Sequence, residues 1–227
     1  MRINVVTIFP ETMESIFATG MLAVAKKKGL VAFRCVNPRE FTSDAHRTVD
    51  DAPFGGGAGM VMMAPPIVDA VESLDRASGS PVVLMGPSGK RFEQEDAERL
   101  AHEKELTFIC GRYKGVDERV RELVVTEEIS LGDFILSGGE IAAAAVIEAV
   151  VRLVDDVLGD DESAHTDSFA AGREGRLDCA WYTRPADFRG LKVPDVLMSG
   201  HHAEIEKWRR NSSLERTRRY RPDLIEE

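Results

Sequence analysis

Two short apolar runs in this chain end in glycine turns, and such turns let a ligand meet bare backbone. Leu106-Thr107-Phe108-Ile109-Cys110 runs into Gly111-Arg112-Tyr113-Lys114-Gly115. Ile129-Ser130-Leu131-Gly132-Asp133-Phe134-Ile135-Leu136 stops at Ser137-Gly138-Gly139-Glu140. With no Cβ in the way, the N–H and C=O groups at these glycines can approach a ligand closely. Neither turn has the spacing of a G-x-G-x-x-G dinucleotide site or a G-x-x-x-x-G-K-[ST] phosphate loop, so both of those readings fail. Either something binds at the ends of these strands, or the glycines only turn corners. A third segment, His46 to Met60, has Gly55, Gly56, Gly57 and Gly59 within five positions. Its backbone donors, with His46 and Arg47, suit a phosphate or a base edge, and Asp50 and Asp51 add acceptors. A plain surface loop is the alternative.

Charge narrows the partners. The net charge of −10 argues against general affinity for nucleic acid. Yet Lys207, Arg209, Arg210, Arg216, Arg218, Arg219 and Arg221 face a single acid, Glu215, in the stretch 207–221. That local +6 leaves −16 on the rest of the chain, an arrangement that can steer a polyanion to one place. A solvated helix face is the competing reading. No stretch is long and apolar enough for a membrane span, and Met1 leads directly into a strand-like run without a signal-peptide layout. Cys35, Cys110 and Cys179 lie far apart without metal spacing, which suits a reducing compartment. A soluble cytoplasmic protein is expected.

The elements that must position these turns alternate. The pattern predicts a strand over 2–9, one helix from Pro10 carrying Met13 to Val24, and a strand over 30–36. A long polar loop over 37–59 follows, then a helix from Pro65-Pro66. A strand over 82–85 precedes the turn Gly86-Pro87-Ser88-Gly89, with a helix over about 93–103 before the strand that ends at Cys110. Strand–helix alternation predicts an α/β fold, its sheet mostly parallel with helices on both faces. The alanine-rich helix after Gly139 needs burial, in the fold or against a second subunit. From Asp155 to Arg176 acids, small residues and glycine predict a mobile linker, and Pro185 to Glu227 a short polar segment that must dock on something.

Taken in order, the three segments resemble the bacterial tRNA (guanine-N1)-methyltransferases, the TrmD family of the SPOUT superfamily. The likeness continues through Thr166-Asp167-Ser168-Phe169, Leu177-Asp178-Cys179, Tyr182-Thr183-Arg184-Pro185 and Ser199-Gly200-His201-His202-Ala203-Glu204-Ile205, and so covers nearly the whole chain. Each motif is weak alone, and all of them in sequence are strong. The resemblance implies a SPOUT domain over 1–155 with a C-terminal deep trefoil knot. It further implies a flexible linker over 156–178 carrying the catalytic aspartate, and a small helical tRNA-binding domain over 179–227. Nothing in the periodicity could indicate a knot. It implies a homodimer with active sites at the subunit interface, S-adenosyl-L-methionine folded into the knot, and methyl transfer to N1 of the guanine 3′ of the anticodon, position 37. Magnesium is also suggested, although no ligand cluster marks a site.

Carried over by position, the cofactor residues are Leu84, Met85, Gly86, Pro87 and Gly89, then Gly111, Tyr113 and Gly115, then Leu131, Gly132, Asp133, Phe134, Ile135, Leu136, Ser137, Gly138 and Gly139. Leu131, Ile135 and Leu136 could supply an apolar slot for adenine. RNA contacts fall to His46, Arg47, Asp50, Gly55, Gly59, Ser168, His202, Arg216, Arg218 and Arg219. The reaction constrains the rest. N1 of neutral guanine carries a proton, so a base must remove it, and the charge growing on O6 needs a donor. The resemblance gives these roles to Asp167 and Arg152, with His165 the nearest substitute base. Two departures stand out: Lys114 where the family usually has glutamate, and Ala142 in place of a common proline. The linker between Phe169 and Leu177, with Arg173 and Arg176, is also longer than expected. Other SPOUT RNA methyltransferases, and a silent RNA-binding or adenosyl-sensing protein of the same fold, are the competing readings.

Overall fold

The computed structural model describes residues 1–158, 167–170 and 174–225. The chain divides into two units, Met1–Gly159 and Asp160–Glu227. In the first, short runs buried on both faces build a five-stranded sheet. Its strands are β1 (Arg2–Val6), β2 (Ala32–Val36), β5 (Val82–Arg91), β6 (Glu105–Cys110) and β7 (Glu127–Ser130), with the two-residue antiparallel pair β3 (Asp50–Asp51) and β4 (Val61–Met62) lying apart. The order is β2-β1-β6-β5-β7, and each neighbouring pair is parallel. Six helices cover it: α1 (Pro10–Phe17), α2 (Gly20–Lys27), α3 (Ala64–Glu72), α4 (Gln94–Ala101), α5 (Glu118–Val124) and α6 (Glu140–Val151).

Successive strand residues face opposite sides, so each strand feeds two cores. Ile3, Val5, Val83, Leu106 and Phe108 meet Met13 and Phe17 of α1, Leu22 of α2, Leu100 of α4 and Ile147 of α6. On the other face Val6, Val82, Leu84 and Ile109 meet Ile67 and Val71 of α3 and Val120 of α5. The expected mostly parallel sheet with helices on both faces is what forms. Among the described residues no helix is long and apolar enough to cross a membrane.

Several expected boundaries move, each for a local reason. The first helix is two. The N–H and hydroxyl of Thr19 both donate to the Ile16 carbonyl, and Gly20 at φ +57 turns the chain into α2. The loop after β2 contains a 3₁₀ turn, Pro38–Phe41, and strand β3. The third strand does not stop at Met85. Val83–Met85 lie beside Glu127–Ile129, then Lys90 and Arg91 resume beside Ile129 and Ser130, so residues 86–89 bulge from one continuous strand. Gly89 permits this: a Cβ there would lie 2.5 Å from both the Glu128 oxygen and the Ile129 nitrogen. The alanine-rich helix also buries itself. Ala142, Ala143, Val146, Ile147, Val150 and Val151 are covered within the unit, leaving Ile141 58% exposed, so α6 does not of itself require a second subunit.

One polar cluster closes the N-terminal end of the central strands, at the opposite end of β6 from its glycine turn. Glu105, buried at the start of β6, takes bonds from Arg2 Nη2 (2.6 Å), Asn4 Nδ2 (2.8 Å) and the Ala77 N–H (2.8 Å). Burial alone would raise its pKa, but these three donors outweigh it and hold the carboxyl below its ordinary value. A depressed carboxyl pKa adds stability above the unfolded value of about 4.3, lost as pH falls through the folded pKa. Glu105→Gln should therefore lower the urea midpoint at pH 7 and flatten its decline below about pH 4. A parallel acid limb in both proteins would show that Glu105 does not govern it.

The second unit hangs on one helix, His202–Tyr220. Its covered face is Ser212, Ser213 and Thr217 rather than an apolar stripe. Those hydroxyls bind an extended segment: Leu177 N–H to Thr217 Oγ1 (3.1 Å), Ser213 Oγ to the Leu177 carbonyl (2.6 Å) and Ala180 N–H to Ser212 Oγ (3.0 Å). Buried backbone must find such partners, so the docking surface is polar. Among the described residues the unit also has a two-residue hairpin, Asp187–Phe188 with Leu191–Lys192, a short helix, Asp195–Met198, and a 3₁₀ turn, Pro222–Leu224.

Candidate active site

The bulge of β5 and the two glycine turns converge. A cavity of about 240 Å³ is lined from the first by Leu84, Met85, Gly86 and Pro87, and from the second by Gly111, Tyr113 and Gly115. The third contributes Leu131, Gly132, Phe134, Ile135, Leu136, Ser137, Gly138 and Gly139. Two positions expected there, Gly89 and Asp133, are not part of the lining. Gly139 marks the point of convergence. Its N–H donates to the Gly111 carbonyl (2.9 Å), and a Cβ on it would lie 2.9 Å from Cys110 Cα and 3.2 Å from both Gly111 N and Met85 Cβ. All three turns meet within van der Waals reach of one missing side chain.

A buried carboxylate supports that junction. Glu140, 2% exposed, accepts from Thr7 Oγ1 (2.7 Å) and pairs with Arg112 (Nη2 to Oε2, 3.2 Å). Arg112 also lies over the Phe9 ring, 4.3 Å from its centroid. A Cβ on Gly138 would sit 2.5 Å from both Arg112 Nε and Glu140 Oε2, so a larger residue there breaks the ion pair as well as filling the cleft. Burial, then the nearby Glu140 carboxylate, pushes the Cys110 thiol well up, so Cys110 acts as packing beneath the turn.

The glycine-rich loop joins the cleft through a backbone seam. Lys114 N–H donates to the Met60 carbonyl (3.0 Å), Met62 N–H to Gly115 (3.0 Å) and Asp117 N–H to Met62 (2.9 Å). Gly55, Gly56, Gly57 and Gly59 all have positive φ, which suits glycine in this hairpin, and Phe54 at its tip is fully exposed. His46 and Arg47 sit in a turn organised by Asp44, which accepts from the His46 N–H and from the Thr48 N–H and hydroxyl. Asp50 lies in β3, opposite Met62.

The two catalytic candidates fall in different units. Arg152 caps the C-terminal end of α6, one 12-residue helix beyond Gly139, about 18 Å at 1.5 Å per residue. It does not line the cleft of its own unit. Asp167 belongs to the second unit, where its carbonyl accepts from the Ala170 N–H (3.3 Å). Next to it, Ser168 Oγ accepts from the Asp178 N–H (2.9 Å). His165, Thr166 and Arg173 lie outside the described residues. His202 opens the long helix, and Arg218 and Arg219 are exposed on its last turns. Arg216 is partly engaged, donating to the Asp178 carbonyl (3.1 Å). Among the described residues no group of three or more His, Cys, Asp or Glu could hold a metal ion.

Comparison with known proteins decides the family. The family described as tRNA (Guanine-1)-methyltransferase TrmD matches residues 1–227. Relatives named tRNA (guanine-N(1)-)-methyltransferase come from Bacillus pumilus (52% identical) and Halalkalibacterium halodurans (50%), each over 100% of this chain and 92% of its own length. One from Bacillus licheniformis is 52% identical over 100% of this chain and 93% of its own. This chain belongs to the TrmD family.

The TrmD-family cleft also has walls beyond the residues expected to bind the cofactor. Ser88, Arg112, Lys114, Val116, Arg121, Ile129, Ser130 and Ala142 all border the cavity. Arg112 and Lys114 sit between glycines already singled out, and Ser130 holds the third turn, its hydroxyl accepting from the Gly132 N–H (3.1 Å). Arg121 had no signal. It reaches the site from α5 and forms a two-point pair with Glu128 (2.9 and 3.2 Å). In the second unit the aromatic pair Tyr182 and Trp208, centroids 6.1 Å apart and edge to face, was likewise unforeseen.

Proposed function

We propose that this protein transfers a methyl group from S-adenosyl-L-methionine to N1 of the guanine at position 37 of tRNA, 3′ of the anticodon. The observation that carries this is the convergence of three turns at Gly139 in a chain of this family. A cleft walled by close-approach backbone suits a ligand recognised through main-chain groups, and Leu131, Ile135 and Leu136 give it an apolar side for adenine. Bound there, the cofactor supplies an electrophilic methyl on sulfur. The chain's own work is to hold the guanine and manage its proton. Asp167 takes the proton from N1 and Arg152 donates to O6 as charge grows there.

Arg152 lies a helix length from the cleft of its own unit, which supports a homodimer in which a second copy completes each site. The remaining parts of this reading are a trefoil knot around the second and third turns, action in the cytoplasm, and RNA contacts from the 46–59 loop, Ser168 and His202. Incubation of tRNA with protein and S-adenosylmethionine, followed by nucleoside mass spectrometry, should find N1-methylguanosine at position 37. Methylation of another base or of ribose would replace this reading with another RNA methyltransferase. Donor binding without any methylation would replace it with a silent binding protein.

The basic end of the long helix should meet phosphates. Arg218 and Arg219 are exposed, and Arg219 also lies 5.1 Å from the Tyr220 ring centroid. Replacing both with alanine should weaken tRNA binding and reduce the slope of log K against log salt by about 0.7–0.9 per lost phosphate contact. Single-turnover rates at saturating tRNA should change far less. An unchanged slope would return these arginines to an ordinary solvated helix face.

A further inference from the structure

Three cations border the cleft, and their partners differ. Arg112 is paired with buried Glu140, and Arg121 with Glu128 and Glu118. Lys114 is exposed, and its ammonium forms no ion pair among the described residues. Its position is nevertheless fixed. The backbone seam to Met60 and Met62 holds residues 114–117 against the glycine hairpin. Gly59, at φ +90, leaves the lysine stem room, since a Cβ there would stand 3.1 Å from Lys114 Cγ and 3.2 Å from Cε. The stem therefore lies along the hairpin, carrying a positive charge at the junction between hairpin and cleft.

An unneutralised cation on a body this acidic is a poor structural element and a good anion ligand. Structural cations nearby are paired, whereas this one is presented at a rigid seam where the loop of His46, Arg47 and Gly55–Gly59 meets the second turn. We propose that Lys114 is a phosphate-binding residue of this site, taking a backbone phosphate of the RNA where the glycine hairpin adjoins the cleft. The inference rests on the tRNA reading above. It assigns Lys114 to the nucleic acid and not to the carboxylate of the methyl donor, the other anion that chemistry would bring here. Lysine suits that task as a point charge on a flexible stem, and arginine should replace it.

The test compares the full-length wild-type protein with Lys114→Gln and Lys114→Arg. Binding of tRNA is measured across a salt series, and S-adenosylmethionine binding by calorimetry. Lys114→Gln should bind tRNA more weakly and lose about 0.7–0.9 from the salt slope, the share of one phosphate. Lys114→Arg should keep the wild-type slope, and both variants should keep wild-type donor affinity. An unchanged slope in Lys114→Gln would overturn the assignment, as would a loss confined to donor affinity, which would move the ammonium to the donor's carboxylate. A wild-type protein that bound no tRNA would overturn the tRNA reading itself, and this assignment with it.

Discussion

Asp167→Asn should bind S-adenosylmethionine and tRNA as the wild type does and lose about 10²–10⁴-fold in single-turnover methyl transfer, the usual weight of a general base. The argument is chemical before it is positional. The lone pair that attacks the methyl group is tied up in the N1–H bond until a base takes the proton, so removing the base slows the step and not the binding. Asparagine keeps the size and shape of the side chain and cannot accept that proton. The backbone bond from the Ala170 N–H to the Asp167 carbonyl does not depend on the side chain, so the local turn should persist. Single-turnover rates at saturating tRNA, with both binding constants measured separately, decide the matter. If the variant transferred methyl at the wild-type rate but bound tRNA poorly, Asp167 would be a docking residue. His165 would then be the next base to test.

How much of this was legible in the sequence depended on whether a feature was local. Most strands of the sheet were, because Val82 to Leu84 and Leu106 to Cys110 are apolar runs bounded by breakers, and their order in the chain alternates with helices. The run from Ile129 to Leu136 was only partly so: β7 spans Glu127–Ser130, and Phe134, Ile135 and Leu136 stand exposed in the turn that follows it, where their apolar character serves the cleft wall and not a buried strand. The break at Ala18-Thr19 was not, since α1 and α2 share an apolar spacing that continues across it, and only the Thr19 bonds and Gly20 interrupt the helix. The extension of β5 to Arg91 was hidden by Gly86-Pro87-Ser88-Gly89, which reads as a turn and is in fact a bulge between two paired stretches. The glycines of the cleft could be named because glycine advertises close approach. Arg121 could not, because it reaches the cleft through the placement of α5. The docking face of the last helix was hidden for a different reason. Ser212, Ser213 and Thr217 carry no hydrophobic signal, and their role appears only when the segment 177–180 supplies the backbone groups they bind.

Gly139→Ala should damage the cleft severely, because what its side chain would meet is mostly backbone. The added Cβ would need the space now held by Cys110 Cα at 2.9 Å and by Gly111 N and Met85 Cβ at 3.2 Å, two of them backbone atoms that no rotamer can move aside. The third turn must therefore shift off the second, stretching the Gly139 N–H bond to the Gly111 carbonyl and displacing the main-chain groups that face the cavity. Overpacking of this kind costs about 1–3 kcal/mol. Expressed at the cleft, that is a loss of about 5–150-fold in donor affinity. Gly111→Ala is the matched comparison, because its Cβ would meet only Val116 Cγ1 at 3.3 Å, a side-chain methyl that can yield. Calorimetric titration with S-adenosylmethionine should therefore rank donor affinity as wild type, then Gly111→Ala, then Gly139→Ala, with urea midpoints showing both variants folded. If Gly139→Ala lowered the urea midpoint but bound the donor as the wild type does, the convergence of the three turns would be a packing junction. The ligand would then have to be held elsewhere on the cavity wall, with the apolar side chains Leu131, Ile135 and Leu136 the first to substitute.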